Sequence, residues 1–230
     1  MSKKILVIGN QGGMGKRWCA CLDYLKEDYL VSDIQDGVPW PHPQEFDKAI
    51  VAVPTDQHFI ICKQLIEMHK DILCEKPVST HIEDIKALKT MTETGYRKGA
   101  DWVPACDFRV VNNLYYALNT ALTRQCLKGD TALMHEMTIN YDHYHSGRDG
   151  LAWDACQLIY MAHPDKITLK SKSPVLDLSI NGYQISLDDV AESYVVMLSQ
   201  WINGPKELWG LTDALKMTEK VDAYIHNYSK

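Results

Sequence analysis

The chain has 230 residues, 46% of them hydrophobic and 23% charged, with a formal net charge of −6. That composition provides for a buried core and excludes disorder as the main state, and the length allows one large domain or two small ones. An acidic balance without a basic cluster argues against nucleic acid or an anionic membrane as partner, and no apolar run approaches the roughly 20 residues that a spanning helix needs.

Near the amino terminus Lys3-Lys4 leads into Ile5-Leu6-Val7-Ile8. Basic residues ahead of an apolar run are also how a signal peptide begins, but this run ends at Gly9, too soon for an apolar signal core. It reads as a buried strand. A helix follows from Gly15 to Lys26, with Trp18, Leu22 and Leu25 on one face. Strands are predicted at Tyr29–Asp33, Ala49–Val53 and Asp71–Cys74, and a helix over Gln57–His69. Thr80-His81-Ile82-Glu83 fits a capping box that opens a helix running to Thr94 and stopping at Gly95. Near-continuous apolar strands separated by helices imply a parallel sheet covered on both faces. Between the second and third strands Pro39, Pro41 and Pro43 leave room for a very short helix at most. Trp102–Ala105 reads as a last strand of this unit.

The second half changes character. Val111–Arg124 looks helical, Thr131–Tyr144 reads as a long strand, and Gly150–Met161 as a helix. Strands are predicted at Ile167–Leu169, Val175–Ile180 and Tyr183–Leu187, with Asn181-Gly182 as a hairpin turn between the last two. Two helices, Asp189–Ile202 and Leu211–Tyr228, close the chain. The expectation is an α/β protein: an N-terminal Rossmann-type, doubly wound parallel sheet over residues 1–108, then a smaller α+β domain over 109–230 for substrate binding and oligomerisation. The seven cysteines form no Cys-x-x-Cys, and Cys62, Cys74 and Cys156 sit in apolar stretches, as reduced core thiols do. A cytoplasmic protein is expected.

The strongest local signal is Gly9-Asn10-Gln11-Gly12-Gly13-Met14-Gly15, which follows a strand and opens a helix. Glycines there allow a tight turn and let backbone N–H groups approach a pyrophosphate at a helix N-terminus. A bare glycine-rich turn would look the same, but strand and helix stand on both sides, as the binding mechanism demands. Asp33 ends the second strand, where a carboxylate accepts hydrogen bonds from ribose hydroxyls and repels a 2′-phosphate, so NAD is the expected cofactor. Lys16 and Arg17 keep NADP open.

Two further segments, Val53-Pro54-Thr55-Asp56-Gln57-His58 and Cys74-Glu75-Lys76-Pro77, join the glycine loop in a recognisable order. Together they resemble the Gfo/Idh/MocA family of nicotinamide-dependent oxidoreductases, and Gly210-Leu211-Thr212-Asp213-Ala214 near the end is also similar to that family. The resemblance implies that Gly9, Gln11, Gly12, Gly13, Met14, Gly15 and Asp33 bind the adenosine and pyrophosphate parts of NAD. Pro54, Thr55, His58, Glu75 and Lys76 would lie at its nicotinamide end, although His58 also fits as a helix-capping residue. Lys76 would point at the substrate, hold its hydroxyl or carbonyl oxygen and move a proton.

The family's usual Asp-x-x-x-His-x-x-Asp is not matched. Aligned on Asp154 as its last residue, Leu151 stands where the histidine should be; aligned on Asp149 as its first, Trp153 does. Tyr141-Asp142-His143-Tyr144-His145 lies just upstream. On a strand Tyr141, His143 and His145 share a face, which makes His143 and His145 candidate proton donors and Tyr141, with Arg109, Arg148, Asp149 and Asp154, a candidate for substrate contact. His-x-His also suits a metal, but without a third ligand none is expected. An exposed polar sheet face and a domain-bridging Arg109 are the plainer readings. The implied function is hydride transfer between NAD(P) and a hydroxyl or carbonyl of a sugar, cyclitol or nucleotide-sugar-like molecule, by a homo-oligomer. A cofactor-binding sensor without turnover, and a reductase of conjugated double bonds similar to biliverdin reductase, stay open.

Overall fold

A computed structural model of the chain describes residues 4–33, 40–98, 101–103, 105–117, 137–140, 150–161, 167–170, 177–180, 183–185, 187–204 and 208–228. The chain forms two compact units, Met1–Val111 with Leu198–Leu215, and Asn112–Met197 with Lys216–Lys230.

In the first unit, β1 (Ile5–Ile8), β2 (Tyr29–Ser32), β3 (Lys48–Val51), β4 (Asp71–Cys74) and β7 (Phe108–Val110) make one parallel sheet in the order β2-β1-β3-β4-β7. The helices between them are α1 (Gly13–Leu25), α2 (Thr55–Glu67) and α3 (Ile82–Glu93). Every residue of β1 and β3 is buried, the reason these strands read as unbroken apolar runs rather than alternating ones. The order reverses direction at β1, whose neighbours β2 and β3 lead away to opposite sides. In such sheets the crevice beyond the carboxyl ends of the strands at the reversal is where ligands bind, and the glycine loop follows β1 there. Among its described residues, the proline-rich link between β2 and β3 carries a 3₁₀ turn, Pro43–Glu45.

Two local expectations shift. Trp102–Ala105 is not the closing strand of the sheet: Asp101–Val103 (β6) pairs antiparallel with Tyr96–Lys98 (β5), and Phe108–Val110 closes the sheet instead. The capping box at Thr80 does not form. The helix begins at Ile82 with His81 as its cap residue, which puts Glu83 one position too early to reach back. Ser79 does the work, its hydroxyl accepting from the His81 N–H at 3.0 Å and donating to Asp84 at 2.7 Å.

In the second unit, β8 (Met137–Asn140), β9 (Ile167–Lys170), β10 (Asp177–Ile180) and β11 (Tyr183–Ile185) form a sheet in the order β11-β10-β8-β9. β10 pairs antiparallel with β8 and β11, and its register sets Ile180 opposite Tyr183, as a two-residue hairpin turn requires. β8 and β9 run parallel, so this sheet is mixed rather than antiparallel throughout. A parallel pair needs a crossover, and α4 (Gly150–Asp154) and α5 (Cys156–Met161) occupy it; the single helix expected there is interrupted at Ala155. Residues 113–117 are helical. Gln157 on α5, fully buried, accepts from the Leu114 N–H at 3.0 Å and donates to Asn113 Oδ1 at 3.1 Å, so its amide is satisfied without water.

Two long helices follow, α6 (Leu187–Asn203) and α7 (Leu211–Tyr228), and no helix among the described residues is long and apolar enough to cross a membrane. Residues 198–215 belong to the first unit. Trp209 bridges Val110 on the outer edge of β7, with the Val110 N–H donating to the Trp209 carbonyl at 2.8 Å. At the amino ends of the strands, buried Lys48 donates to the Trp201 carbonyl in the last turn of α6 at 3.3 Å and to Asp71 at 3.4 Å, and lies 4.8 Å from the Trp201 ring centre. A cation at a helix C-terminus is favoured by the macrodipole, and this one also fills a core position with its methylene stem. Lys48→Ala should therefore lower unfolding free energy by about 2–4 kcal/mol, more than an exposed lysine would, read in a urea titration.

Candidate functional site

The loop after β1 is built around two glycines that nothing else can replace. Gly9 has φ +87, and a Cβ there would lie 2.5 Å from the Ala52 carbonyl oxygen. A Cβ on Gly15 would stand 2.0 Å from the Gly9 oxygen and 2.6 Å from the Asn10 Cα. The Gly9 N–H donates to the Ser32 carbonyl at 2.8 Å and the Gly12 N–H to the Gly9 carbonyl at 3.1 Å, which closes the turn against β2 and directs α1 away from it. Gly13, the first residue of α1, is different: among the described residues a Cβ there would meet no atom within 4 Å. Gln11, Gly12 and Gly13 are exposed, Met14 is half-buried, and no acidic residue stands in the first turn of α1. The result is a helix N-terminus with open space in front of it, a shape that admits a phosphate.

Asp33, immediately after β2, is buried, and its Oδ2 accepts from the Gln11 N–H at 3.1 Å. The carboxylate is thus drawn against the glycine loop, at the edge where a ribose attached to that phosphate would sit. Pro54 is exposed as the cap residue of α2, and half-buried Thr55 is its first residue.

His58 departs from its expected place at the cofactor. It is 1% exposed, with Nδ1 2.8 Å from the Pro77 carbonyl and Nε2 2.8 Å from the Val53 carbonyl. The ring spans two protein backbones from the interior, one after β3 and one after β4, and holds the Pro54-Thr55 turn and the Lys76-Pro77 segment at a set spacing.

Glu75 is buried as well. Its Oε1 accepts from the Trp18 indole N–H at 2.9 Å and its Oε2 from the Lys76 backbone N–H at 3.3 Å. Burial pushes the carboxyl above the usual glutamate range, against the pull of Lys76, the indole, the Lys76 amide and Arg17, all of which favour the carboxylate. Lys76 itself is half-buried, and the Lys76–Pro77 peptide is cis. Trp18 did not figure among the candidate site residues. The signal available for it was a tryptophan three residues beyond the last loop glycine on the core face of α1, because a buried indole N–H needs an acceptor.

The substrate candidates divide. Arg109 on β7 donates from Nη1 to the Leu208 carbonyl at 3.3 Å, and its Nε lies 2.7 Å from Asp107 Oδ1. Both groups border a cavity of about 490 Å³ that also touches Cys106, Gly210 and Thr212. Asp107 precedes β7, so this cavity lies toward the amino ends of the strands, the opposite edge from the glycine loop. Arg109 thus secures the 208–210 segment to β7. Burial raises the Asp107 carboxyl, partly offset by Arg109, and pushes the Cys106 thiol up to about 12. Asp154, the last residue of α4, belongs to the second unit and is buried. Tyr141, His143, His145, Arg148 and Asp149 lie outside the described residues. Among the described residues no group of three or more His, Cys, Asp or Glu is placed to hold a metal.

Residues 30–97 match the sequence profile of Gfo/Idh/MocA, described as an oxidoreductase family with an NAD-binding Rossmann fold. The matched stretch lies within the first unit, from β2 to β5. No curated protein sequence gives a significant match. Solved structures with a similar fold include an inferred myo-inositol dehydrogenase from Sinorhizobium meliloti 1021, at 13% identity over 98% of this chain and 97% of that one, with a TM-score of 0.70. Myo-inositol dehydrogenase from Lactobacillus casei, in complex with NAD(H) and myo-inositol, matches at 13% identity over 97% of this chain and 93% of that one, with a TM-score of 0.65. The WlbA (WbpB) dehydrogenase from Thermus thermophilus, in complex with NAD and UDP-GlcNAcA, matches at 11% identity over 96% and 94%, with a TM-score of 0.64.

These structural similarities show the fold, a Rossmann-type α/β unit with a second, α+β unit. The Gfo/Idh/MocA profile begins at β2, so the glycine loop rests on its own geometry, which fits the cofactor. The exposed N-terminus of α1 at Gly12 and Gly13 and the carboxylate of Asp33 are the two features that a dinucleotide's pyrophosphate and ribose require.

Proposed function

We propose that this chain is an NAD-dependent dehydrogenase-type oxidoreductase. It would transfer hydride between nicotinamide and a hydroxyl or carbonyl of a sugar, cyclitol or nucleotide-sugar-like substrate, in the cytoplasm. The observation that carries the reading is the convergence of the glycine loop, Asp33 and Glu75-Lys76 at the carboxyl edge of one parallel sheet. The substrate class draws support from structures of similar fold crystallised with myo-inositol and with UDP-GlcNAcA.

When bound, NAD supplies the hydride acceptor or donor. Gly12, Gly13 and Met14 would present backbone N–H groups to its pyrophosphate, and Asp33 would accept from the adenosine ribose. Pro54 and Thr55 would flank the nicotinamide end. Lys76 would hold the substrate oxygen and take or return its proton, a general acid–base role that substitutes in part for the histidine missing at Leu151 or Trp153. His143 and His145 are the further candidates for that proton, with Tyr141, Arg148, Asp149 and Asp154 for substrate contact.

Turnover on a panel of cyclitols, sugars and nucleotide sugars with NAD tests the reading. NAD(H) binding without turnover on any of them, or on linear tetrapyrroles, would favour a cofactor-binding sensor, which the absent histidine supports. The chain should bind NAD(H) more tightly than NADP(H). Asp33→Ser should narrow the difference to within about tenfold by removing both the repulsion of a 2′-phosphate and a ribose acceptor. Equal affinities in the unaltered protein would overturn this. Self-association is proposed on the alternation within Val175–Ile180, where Leu176, Leu178 and Ile180 share one face of the second sheet and ask for cover. Sedimentation should show species larger than the 26.2 kDa chain at micromolar concentration.

A further inference from the structure

We propose that Trp18 is a positioning residue for Glu75-Lys76: its indole N–H orients the buried carboxylate on which the Lys76 amide also rests. The inference rests on the proposed NAD-dependent reading of this edge of the sheet and adds a residue to it.

Trp18 and Glu75 are 57 positions apart, fully buried or nearly so, and 2.9 Å from each other. Trp18 lies on α1, one turn beyond the glycine loop, and its ring is 0% exposed. Glu75 follows β4 directly, and its N–H donates to the Val51 carbonyl at 2.9 Å, which anchors its backbone to β3. With the backbone fixed, the side chain keeps three torsions, the last of which is the rotation of its carboxyl group. The indole takes one oxygen and the Lys76 amide the other, so that rotation is set from both sides. A movement of the glycine loop carried by α1 therefore reaches Lys76 through a single carboxylate.

Among the described residues the charged groups that act on this carboxylate are Lys76 from its own segment and Arg17 from α1, and burial holds the neighbouring Cys74 thiol well above its usual range, so it stays neutral while Glu75 titrates. Both favour ionisation, as does the indole; burial opposes it. A hydrogen bond donated to a charged group stabilises that charged form specifically. Without the indole N–H, the carboxyl should hold its proton to higher pH. A tryptophan that merely filled space would change stability without changing this titration.

The test follows the Glu75 carboxyl carbon by NMR in the cofactor-free protein, assigned by Glu75→Gln, together with the Trp18 indole N–H resonance. In the unaltered protein the indole resonance should move with the same midpoint as the Glu75 carboxyl. In Trp18→Phe the carboxyl should titrate at higher pH, and Trp18→His, which restores a ring N–H, should bring it part of the way back. An indole resonance that stays still while Glu75 titrates, or a titration unchanged in Trp18→Phe, would overturn the proposal. The indole measurement needs no variant, so poor folding of Trp18→Phe leaves the question answerable.

NADH titrations over the same pH range give the second reading. Affinity should fall as pH drops through the Glu75 titration, and Trp18→Phe should move that fall to higher pH, with about a tenfold loss in the interval, the scale of one hydrogen bond to a charged group. A Kd raised equally at every pH would mean packing alone and count against the proposal. Absence of NADH binding by the unaltered protein would reject the cofactor reading, while the NMR titration would still decide the role of Trp18.

Discussion

Gly15→Ala should abolish measurable NAD(H) binding and cost the fold about 1–3 kcal/mol or more, the range for forcing atoms into a packed site. The new methyl carbon would stand 2.0 Å from the Gly9 oxygen and 2.6 Å from the Asn10 Cα, both backbone atoms with no side-chain freedom to yield. The loop would have to open, and α1 would no longer present its first N–H groups together. Gly13→Ala is the informative contrast. Its methyl meets no atom of the described residues within 4 Å, so the melting temperature should hold. If a pyrophosphate lies before α1, the same methyl intrudes on it, and NADH affinity should fall at least about tenfold. Thermal melts and NADH fluorescence titrations of both variants separate the two effects. Unchanged NADH affinity in Gly13→Ala would place the cofactor elsewhere.

Lys76→Ala should lower turnover on an identified substrate by about 10²-fold or more, the usual scale for removing a general acid or base. NAD(H) affinity should change little, because the glycine loop and Asp33 hold the other end of the cofactor. A drop in kcat with an unchanged KM for NAD would place Lys76 at the reacting atoms; a change in KM for NAD alone would assign it to cofactor binding. His143→Ala and His145→Ala, measured beside it, show whether either histidine shares the proton. Full turnover by Lys76→Ala would remove the lysine from the mechanism.

Much of the first unit was legible in the sequence because its signals are local. Ile5–Ile8 and Asp71–Cys74 appear as the apolar runs predicted, and β2, β3, α1 and α2 fall within a few residues of expectation. The glycine loop announced itself by residue type and by the strand and helix on either side. The hairpin between β10 and β11 has the register that Asn181-Gly182 implies. Where prediction failed, two local signals competed. Trp102–Ala105 and Phe108–Val110 are both short, the second with Arg109 at its centre, and nothing within either says which one pairs with β4. At α3, Ser79 and Thr80 are both of a type that caps helices, but the helix starts at Ile82 and His81 takes the cap position, its N–H donating to Ser79.

The sequence by itself determined the alternation of strands and helices, the place of the phosphate loop and the acidic residue that follows β2. Periodicity and turn chemistry act over a few neighbouring residues, and the chain writes them in order. Only the tertiary structure decided that Glu75 takes the Trp18 indole, that His58 spans the Val53 and Pro77 carbonyls from the interior, and that Arg109 fastens Leu208. It alone returned residues 198–215 to the first unit, where Lys48 meets the end of α6. Each of these contacts joins residues that the sheet brings together and the sequence keeps apart. A buried N–H or charge must find a partner, but which partner depends on strand order, and strand order is a property of the folded chain.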